Sequence, residues 1–484
     1  MEVAGKRVLV VGLGKSGLAA ARFLKERGAR VTVSDARPAT LIAELPGLVA
    51  EGIAVEAGSH GLLTFRRQDL IVVSPGVPMS TPELTQVRAF GMPIIGELEL
   101  GWRYLQGEVV AITGSNGKTT TTTLMGEIFE ADGRPTLVGG NIGRPVTAMV
   151  AESVELSRRC GEEAGPSTAL RSAQDDNSME QLHSGSVGAE TVWSVLEVSS
   201  FQLETVVEFR PRVAVVLNIT PDHLDRHGSF AAYAALKTRI TERQTAEDFL
   251  VLNAEDKNTQ MVAAHTKAKI YWFSARRQVK QGAFVHGEGI FFRAREGAEP
   301  EAVMPLAEIA LTGAHNVENV LAAVCAARLV GVSSAVIRAA VADFRAVEHR
   351  LEFVRELDGV RYFNDSKATN VDAAVKAVES FVGGIYLILG GKDKDSDYSV
   401  MNELLRERVK TVISIGSAAE KIERQLAGVV KIERAQTLQR AIAFARQNAV
   451  AGDTVLLAPA CASFDQFESY EHRGRVFKEL VHGL

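Results

Sequence analysis

The stretch Val109-Val110-Ala111-Ile112-Thr113-Gly114-Ser115-Asn116-Gly117-Lys118-Thr119-Thr120 runs a short β-branched strand into a glycine loop, followed by residues able to open a helix. In that setting a Gly-Lys-Thr loop cradles phosphates. Amides at the helix start are unpaired donors, the lysine compensates the β- and γ-phosphates, and the threonine hydroxyl ligates Mg²⁺. The strict GxxxxGK[ST] pattern fails, because Ile112 stands where its first glycine belongs. Gly114, Ser115, Asn116, Gly117, Lys118, Thr119 and Thr120 are therefore the candidate ATP-binding residues, with Lys118 also catalytic through charge compensation.

Such a loop needs a carboxylate at a neighbouring strand end to hold magnesium. Downstream, Trp193-Ser194-Val195-Leu196 ends at Glu197, the best candidate for that ligand. Residues 213–217 then form another apolar run leading into Asn218-Ile219-Thr220-Pro221-Asp222-His223-Leu224-Asp225-Arg226-His227. There His223 stands at a second strand end, a candidate for metal or phosphate contact. Upstream, Val8-Leu9-Val10-Val11 leads into Gly12-Leu13-Gly14-Lys15-Ser16-Gly17, and Val31-Thr32-Val33 ends near Asp35. This is a GxGxxG turn with an acidic residue placed for a ribose hydroxyl. With the second strand-to-loop edge at Ile71-Val72-Val73-Ser74-Pro75-Gly76, it favours a nucleotide diphosphate. Residues 12–35 taken alone also fit an NAD-dependent oxidoreductase.

Short β-branched runs alternate with helix-period segments along the chain, which predicts an α/β fold built of βαβ units on largely parallel sheets. The pattern restarts near Val8, Val109 and Leu351. Three domains are expected: residues 1–97 as an N-terminal Rossmann-like domain, 98–346 as a central domain of phosphate-loop ATPase type with a mostly parallel sheet, and 347–484 as a C-terminal Rossmann-like domain. Length agrees, since 484 residues at roughly 150 per domain exceed one core. Residues 161–189 are poor in large aliphatic side chains, so a flexible surface insertion is expected within 152–191.

Hydrophobic residues make up 46% and charged residues 23%, values of an ordinary globular protein. The 54 basic and 59 acidic residues leave a net charge of −5, with no electrostatic footprint for nucleic acid or an anionic membrane. Three scattered cysteines suggest neither disulfides nor a zinc site, and a cytoplasmic location is expected. No apolar run approaches the ~18 residues of a membrane span.

The residues 113–120 just quoted, with Asn141-Ile142-Gly143, Glu197-Val198-Ser199-Ser200-Phe201-Gln202-Leu203-Glu204, residues 218–227, Gly313-Ala314-His315-Asn316-Val317-Glu318-Asn319 and His349-Arg350, look like the central domain of the muramyl ligases. This stretch also resembles the folylpolyglutamate synthases. Asn364-Asp365-Ser366-Lys367-Ala368-Thr369-Asn370, Gly390-Gly391-Lys392-Asp393-Lys394 and the residues 459–467 are similar to the D-glutamate-adding branch of the family. The resemblance implies an ATP-dependent ligase of the cytoplasmic stage of peptidoglycan synthesis, acting as a monomer on UDP-N-acetylmuramoyl-L-alanine and D-glutamate through an acyl phosphate, with ATP and two Mg²⁺ sites.

Residue by residue, the resemblance implies that Lys118 and Thr119 hold phosphates and the first Mg²⁺, while Glu197 and His223 hold a second. Lys237, in Tyr233-Ala234-Ala235-Leu236-Lys237, matches a lysine that the family carries carbamylated; read without the family it is an ordinary exposed helical lysine. Asn316, Arg350 and Asp365 match adenine, phosphate and ribose contacts. Thr369, Lys394, Ser463 and Tyr470 match positions that receive D-glutamate, with Tyr470 where phenylalanine is expected. Asp35 and Arg37 match the uridine end, with Ser16, Ser74, Gly76, Asn141 and Ser199 completing the UDP-sugar site. A non-catalytic nucleotide-binding protein is disfavoured, since the lysine, magnesium ligands and amine-site residues are all present.

Overall fold

The computed structural model describes residues 1–163, 191–311, 313–345 and 348–484. Its architecture is three α/β domains, each organised on its own sheet. The first sheet is entirely parallel, in the order Ala54–Ala57, Arg30–Asp35, Arg7–Val11, Leu70–Val73, Ile94–Gly96. Val8, Leu9, Val10 and Val11 are all fully buried. That is why they read as a continuous apolar run and not as an alternation: helices cover both faces of the sheet. Val8 and Val10 join the core on one side, Leu9 and Val11 the core on the other.

The central sheet has nine strands, with Glu108–Thr113 flanked by Trp193–Glu197 and Val213–Val216. These three strands are parallel, so the phosphate loop, Glu197 and residues 217–223 all leave the sheet at the same carboxyl end, where open α/β sheets place their ligands. Only at the far edge are the pairings antiparallel, Gly282–His286 with Gly289–Arg293 and the latter with Glu301–Pro305. The third sheet has six strands, parallel except for the hairpin Glu352–Leu357 and Val360–Asn364.

The expected insertion needs a correction at its start. Residues 152–163 continue the helix Val150–Glu163, whose Val150 and Ser153 are buried and whose Leu156 packs on the central core. An apolar spacing anchored at Val150 and Leu156 builds that helix, although its later turns are strongly charged. The remainder of the expected insertion, residues 164–190, lies outside the described residues.

The first and second domains meet at the helix Glu97–Trp102. Two of its carboxylates are buried, which the surface-like run Glu97-Leu98-Glu99 does not announce. Glu99 accepts bonds from the amides of Val207, Glu208 and Phe209 and from Arg103, so its charge is fully compensated. Glu97 Oε1 accepts from the Thr147 amide and hydroxyl, both at 2.7 Å, and among the described residues its Oε2 has no hydrogen-bond partner. Burial raises its pKa from 4.5 to about 7, against the Thr147 donors.

Because the folded value lies above the unfolded one, the folded protein holds the extra proton. This contribution is therefore present below pH 4.5 and is lost as the pH rises to about 7. The loss amounts to about 3 kcal/mol across that window. Glu97→Gln, which mimics the protonated acid, should flatten the decline; urea titrations of both proteins from pH 5 to 8 check this, and parallel pH profiles would refute it.

Candidate functional site

The phosphate loop is held from the side by the polar cluster that follows residues 213–217. Ser115 N donates to Asn218 O, Asn116 N to Asn218 Oδ1, and Asn218 Nδ2 back to Asn116 O. Ser115 Oγ donates to Thr220 O at 2.8 Å and lies 2.9 Å from the Tyr233 hydroxyl. Part of what reads in sequence as a ligand cluster thus clamps the loop. Gly117 has φ +85°, and a Cβ there would sit 2.2 Å from Asn319 Oδ1, so only glycine allows the close approach. Lys118 opens the helix Lys118–Ala131 and curls its ammonium back onto Gly114 O and Ser115 O, both at 2.9 Å. Burial lowers its pKa.

Thr119 Oγ1 donates to Glu197 Oε2 at 2.7 Å, and Glu197 Oε1 accepts from Asn141 Nδ2 at 2.9 Å. Hydroxyl and carboxylate oxygens are the donor set Mg²⁺ takes. The spot already attracts a cation, since the Lys367 ammonium also contacts Thr119 Oγ1. His223 faces the same cavity in a left-handed backbone, φ 53°. Lys237 is not the exposed lysine that its helix suggests by itself. It is 1% exposed, donates to Gly114 O at 2.8 Å from beneath the loop, and lies over the Tyr233 ring. Burial, reinforced by the charge of Lys118, takes its pKa well below 10.5.

A cavity of about 420 Å³ lies above the loop and draws walls from all three domains: Lys15 and Ser16, then Ser115 to Thr119 with Glu197 and His223, then Lys367, Thr369 and Tyr470. Asp222 joins the last two domains. Its carboxylate accepts from Asn370 Nδ2 at 3.0 Å and pairs with Lys394 at 3.3 Å. Burial works to raise the pKa of Asp222, but Lys394, His223 and Asn370 together hold it below the usual value. Asp372 similarly accepts from Asn116 and Thr220. Tyr470 begins the helix Tyr470–His482, with its hydroxyl 3.4 Å from Lys367 Nζ. Lys394 therefore reaches the cleft through Asp222, whereas Ser463 is buried and is not part of this cavity wall.

The residues resembling a nucleoside site divide. Arg350 and Asp365 line a narrow recess with His315, Glu318 and Asn319. Asn316 is buried and accepts from Asn319 Nδ2 at 2.9 Å; Asn319 lines this recess and Asn316 is not part of its wall. Burial raises Asp365 to about 6, against the pull of Arg350. A second cavity, of about 380 Å³, is lined by Gly12, Ser16, Asp35, Arg37, Ser74, Gly76 and Asn141. Asp35 is committed internally, accepting from Leu13 N at 2.7 Å and from Arg37; burial is outweighed by these bonds, and its pKa falls to about 2. Ser199 is absent from this wall. It caps the helix Ser200–Leu203, whose Gln202 lines the cavity instead.

Several residues of the cleft escaped the sequence reading: Lys367, Asp222 and Asn370 line it, Asp372 bonds Asn116 of the loop, and Arg473 is buried between the C-terminal stretches that reach it. Arg473 is fully buried and donates to Ser366 and to the Cys461 carbonyl, joining the stretches at 364–370 and 459–463. Lys367, Asp222 and Asn370 lay inside motifs already quoted and Asp372 two residues beyond one, so proximity to a motif was the available signal.

A phosphate loop facing a cation-rich wall across three α/β domains defines a nucleotide-dependent ligase. Three family models match: a Mur ligase MurD-like N-terminal domain over residues 6–96, a Mur ligase middle domain over 112–327, and a Mur ligase glutamate ligase domain over 349–461. A protein of Acidobacterium capsulatum named UDP-N-acetylmuramoylalanine--D-glutamate ligase is 60% identical over 482 residues, 99% of this chain and 97% of its own. One of the same name from Koribacter versatilis is 54% identical, over 99% and 98%. Among solved structures, the UDP-N-acetylmuramate-alanine ligase of Thermotoga maritima shares the fold, with a TM-score of 0.56 at 19% identity over 99% of both chains. The chain belongs to the Mur ligase family and is a ligase. Among the described residues, no helix is long and apolar enough to cross a membrane.

Proposed function

We propose that this enzyme joins D-glutamate to UDP-N-acetylmuramoyl-L-alanine with cleavage of ATP, as a monomer, in peptidoglycan synthesis. The alanyl carboxylate attacks the γ-phosphorus of ATP, forming an acyl phosphate and releasing ADP. The amine of D-glutamate then adds to the acyl carbon, loses a proton, and expels phosphate. The observation that carries this reading is the single cavity walled by the glycine loop, the phosphate loop and the C-terminal Lys367, Thr369 and Tyr470. It lets a nucleotide-linked carboxylate, a triphosphate and an amino acid meet.

Carboxylate and triphosphate repel one another, so the chemistry depends on charge compensation and positioning. Lys118 carries the β- and γ-phosphates. Thr119 would hold the first Mg²⁺ with the phosphates, and Glu197 and His223, supported by a carbamylated Lys237, would hold a second. Bound there, Mg²⁺ supplies positive charge where the phosphoryl group transfers. Lys367 sits between the phosphate loop and Tyr470, placed to follow the phosphoryl group towards the amino-acid side. Lys394 exchanges Asp222 for a carboxylate of the incoming amino acid, with Thr369 and Tyr470 orienting it and Ser463 supporting the adjacent loop. The recess beside Arg350, Asp365, Asn316 and Asn319 takes the adenosine.

A phosphate-release assay with defined amino acids tests the reading. Turnover should require ATP, UDP-N-acetylmuramoyl-L-alanine and D-glutamate together. Equal turnover with L-glutamate, meso-diaminopimelate or L-alanine would overturn the substrate assignment.

A further inference from the structure

We propose that Lys15 is the cation that holds the diphosphate of the nucleotide-sugar substrate, leaving a carbonyl of the central domain to do so. The inference rests on assigning the N-terminal cavity to a uridine nucleotide. Two cavities lie along the substrate's path, one beside Asp35 and Arg37 and one over the phosphate loop, and both are lined by Lys15, Ser16 and Asn141. A ligand with its nucleoside in the first and its reacting carboxylate in the second must thread its diphosphate past these three side chains.

Of the two cations lining the first cavity, Arg37 is already engaged. Its guanidinium donates to both oxygens of Asp35 and to Leu13 O, at 2.9 to 3.0 Å. Lys15 instead reaches from the start of the helix Lys15–Glu26 across to Gly143 O, at 2.6 Å. Among the described residues no carboxylate pairs with this ammonium, and a diphosphate oxygen is a stronger acceptor than a neutral carbonyl.

The local sequence points the same way. A lysine in the first helical turn stands against the helix dipole, which favours anions there. This turn contains no acidic residue, and Gly14 supplies no side-chain cap, so nothing in the helix itself offsets the lysine. An arriving diphosphate would satisfy both the ammonium and the open amides of the turn. Gly17 lets the turn pack this closely: a Cβ there would lie 1.9 Å from Gly12 O and 2.4 Å from Ser74 Oγ.

The test compares wild type, Lys15→Gln and Lys15→Arg by calorimetric titration with UDP and with uridine, and by steady-state kinetics. Lys15→Gln should weaken UDP about 10- to 100-fold and leave uridine within about twofold. The Michaelis constant for the sugar nucleotide should rise similarly, while that for ATP and kcat at saturation stay within about twofold. Lys15→Arg should retain UDP affinity within about threefold. Unchanged UDP affinity in Lys15→Gln would overturn the proposal, and a fall in kcat alone would assign Lys15 to joining the domains through Gly143. If wild type binds neither UDP nor uridine, it is the reading of the N-terminal cavity that fails.

Discussion

Lys118→Ala should lower turnover at least about a thousandfold, equivalent to roughly 4 kcal/mol of transition-state stabilisation, while the protein stays folded. The expectation follows from where the ammonium is and what surrounds it. It rests on two loop carbonyls, Gly114 O and Ser115 O, and not on a carboxylate. Burial lowers its pKa, so the loop holds this charge at a cost that a bound triphosphate would relieve. Removing the side chain leaves the loop backbone in place, because its shape comes from Asn218, Thr220 and Tyr233. Thermal melting should therefore shift by no more than about 4 °C, and the loss should appear in kcat/KM for ATP. Lys118→Arg tests geometry separately from charge: a guanidinium is too broad for the curl onto Gly114, so it should not restore activity. Normal turnover in Lys118→Ala would remove the phosphate-loop assignment.

Properties set by local sequence were legible in this chain, and those set between distant segments were not. Parallel strands buried on both faces leave uninterrupted apolar runs, so residues 8–11 and 109–113 were legible, as were the glycine turns after them. The ligase family came from the resemblance of motifs that the loop, Glu197 and residues 217–223 carry out at one sheet end, whereas the order of the strands was not legible. What stayed hidden required distances between segments. Glu97 and Glu99 read as surface carboxylates, yet one caps three amides more than a hundred residues away. Asp35 resembles a ligand for ribose, but its oxygens are taken by Leu13 and Arg37. Asn316 and Asn319 are one helical turn apart, and only packing against Gly117 decides which of them faces the recess. Lys367 sits in a polar motif where any lysine could be solvated; its contact with Thr119 crosses a domain boundary.

The second large effect concerns Lys237, where burial decides the chemistry. A buried lysine that donates to Gly114 O and faces the charge of Lys118 is poorly placed to stay protonated. A neutral amine is a nucleophile towards CO₂: its lone pair attacks the carbon, an N–H proton leaves to solvent, and the product is a carbamate anion. That change replaces a cation, which repels the proposed magnesium site, with a carboxylate-like ligand that supports it. Lys237→Ala and Lys237→Met should both lose about a hundredfold or more in turnover. Only the alanine variant leaves room for a small carboxylate, so formate or acetate should restore part of its activity, while Lys237→Met stays inactive because its side chain fills the space. Wild-type enzyme prepared free of CO₂ should lose activity and regain it with bicarbonate, and ¹³C-labelled CO₂ should give a carbamate resonance absent from both variants. If the resonance is missing and neither variant responds to carboxylates, Lys237 acts as an amine supporting Gly114, and the second magnesium site loses its anionic ligand.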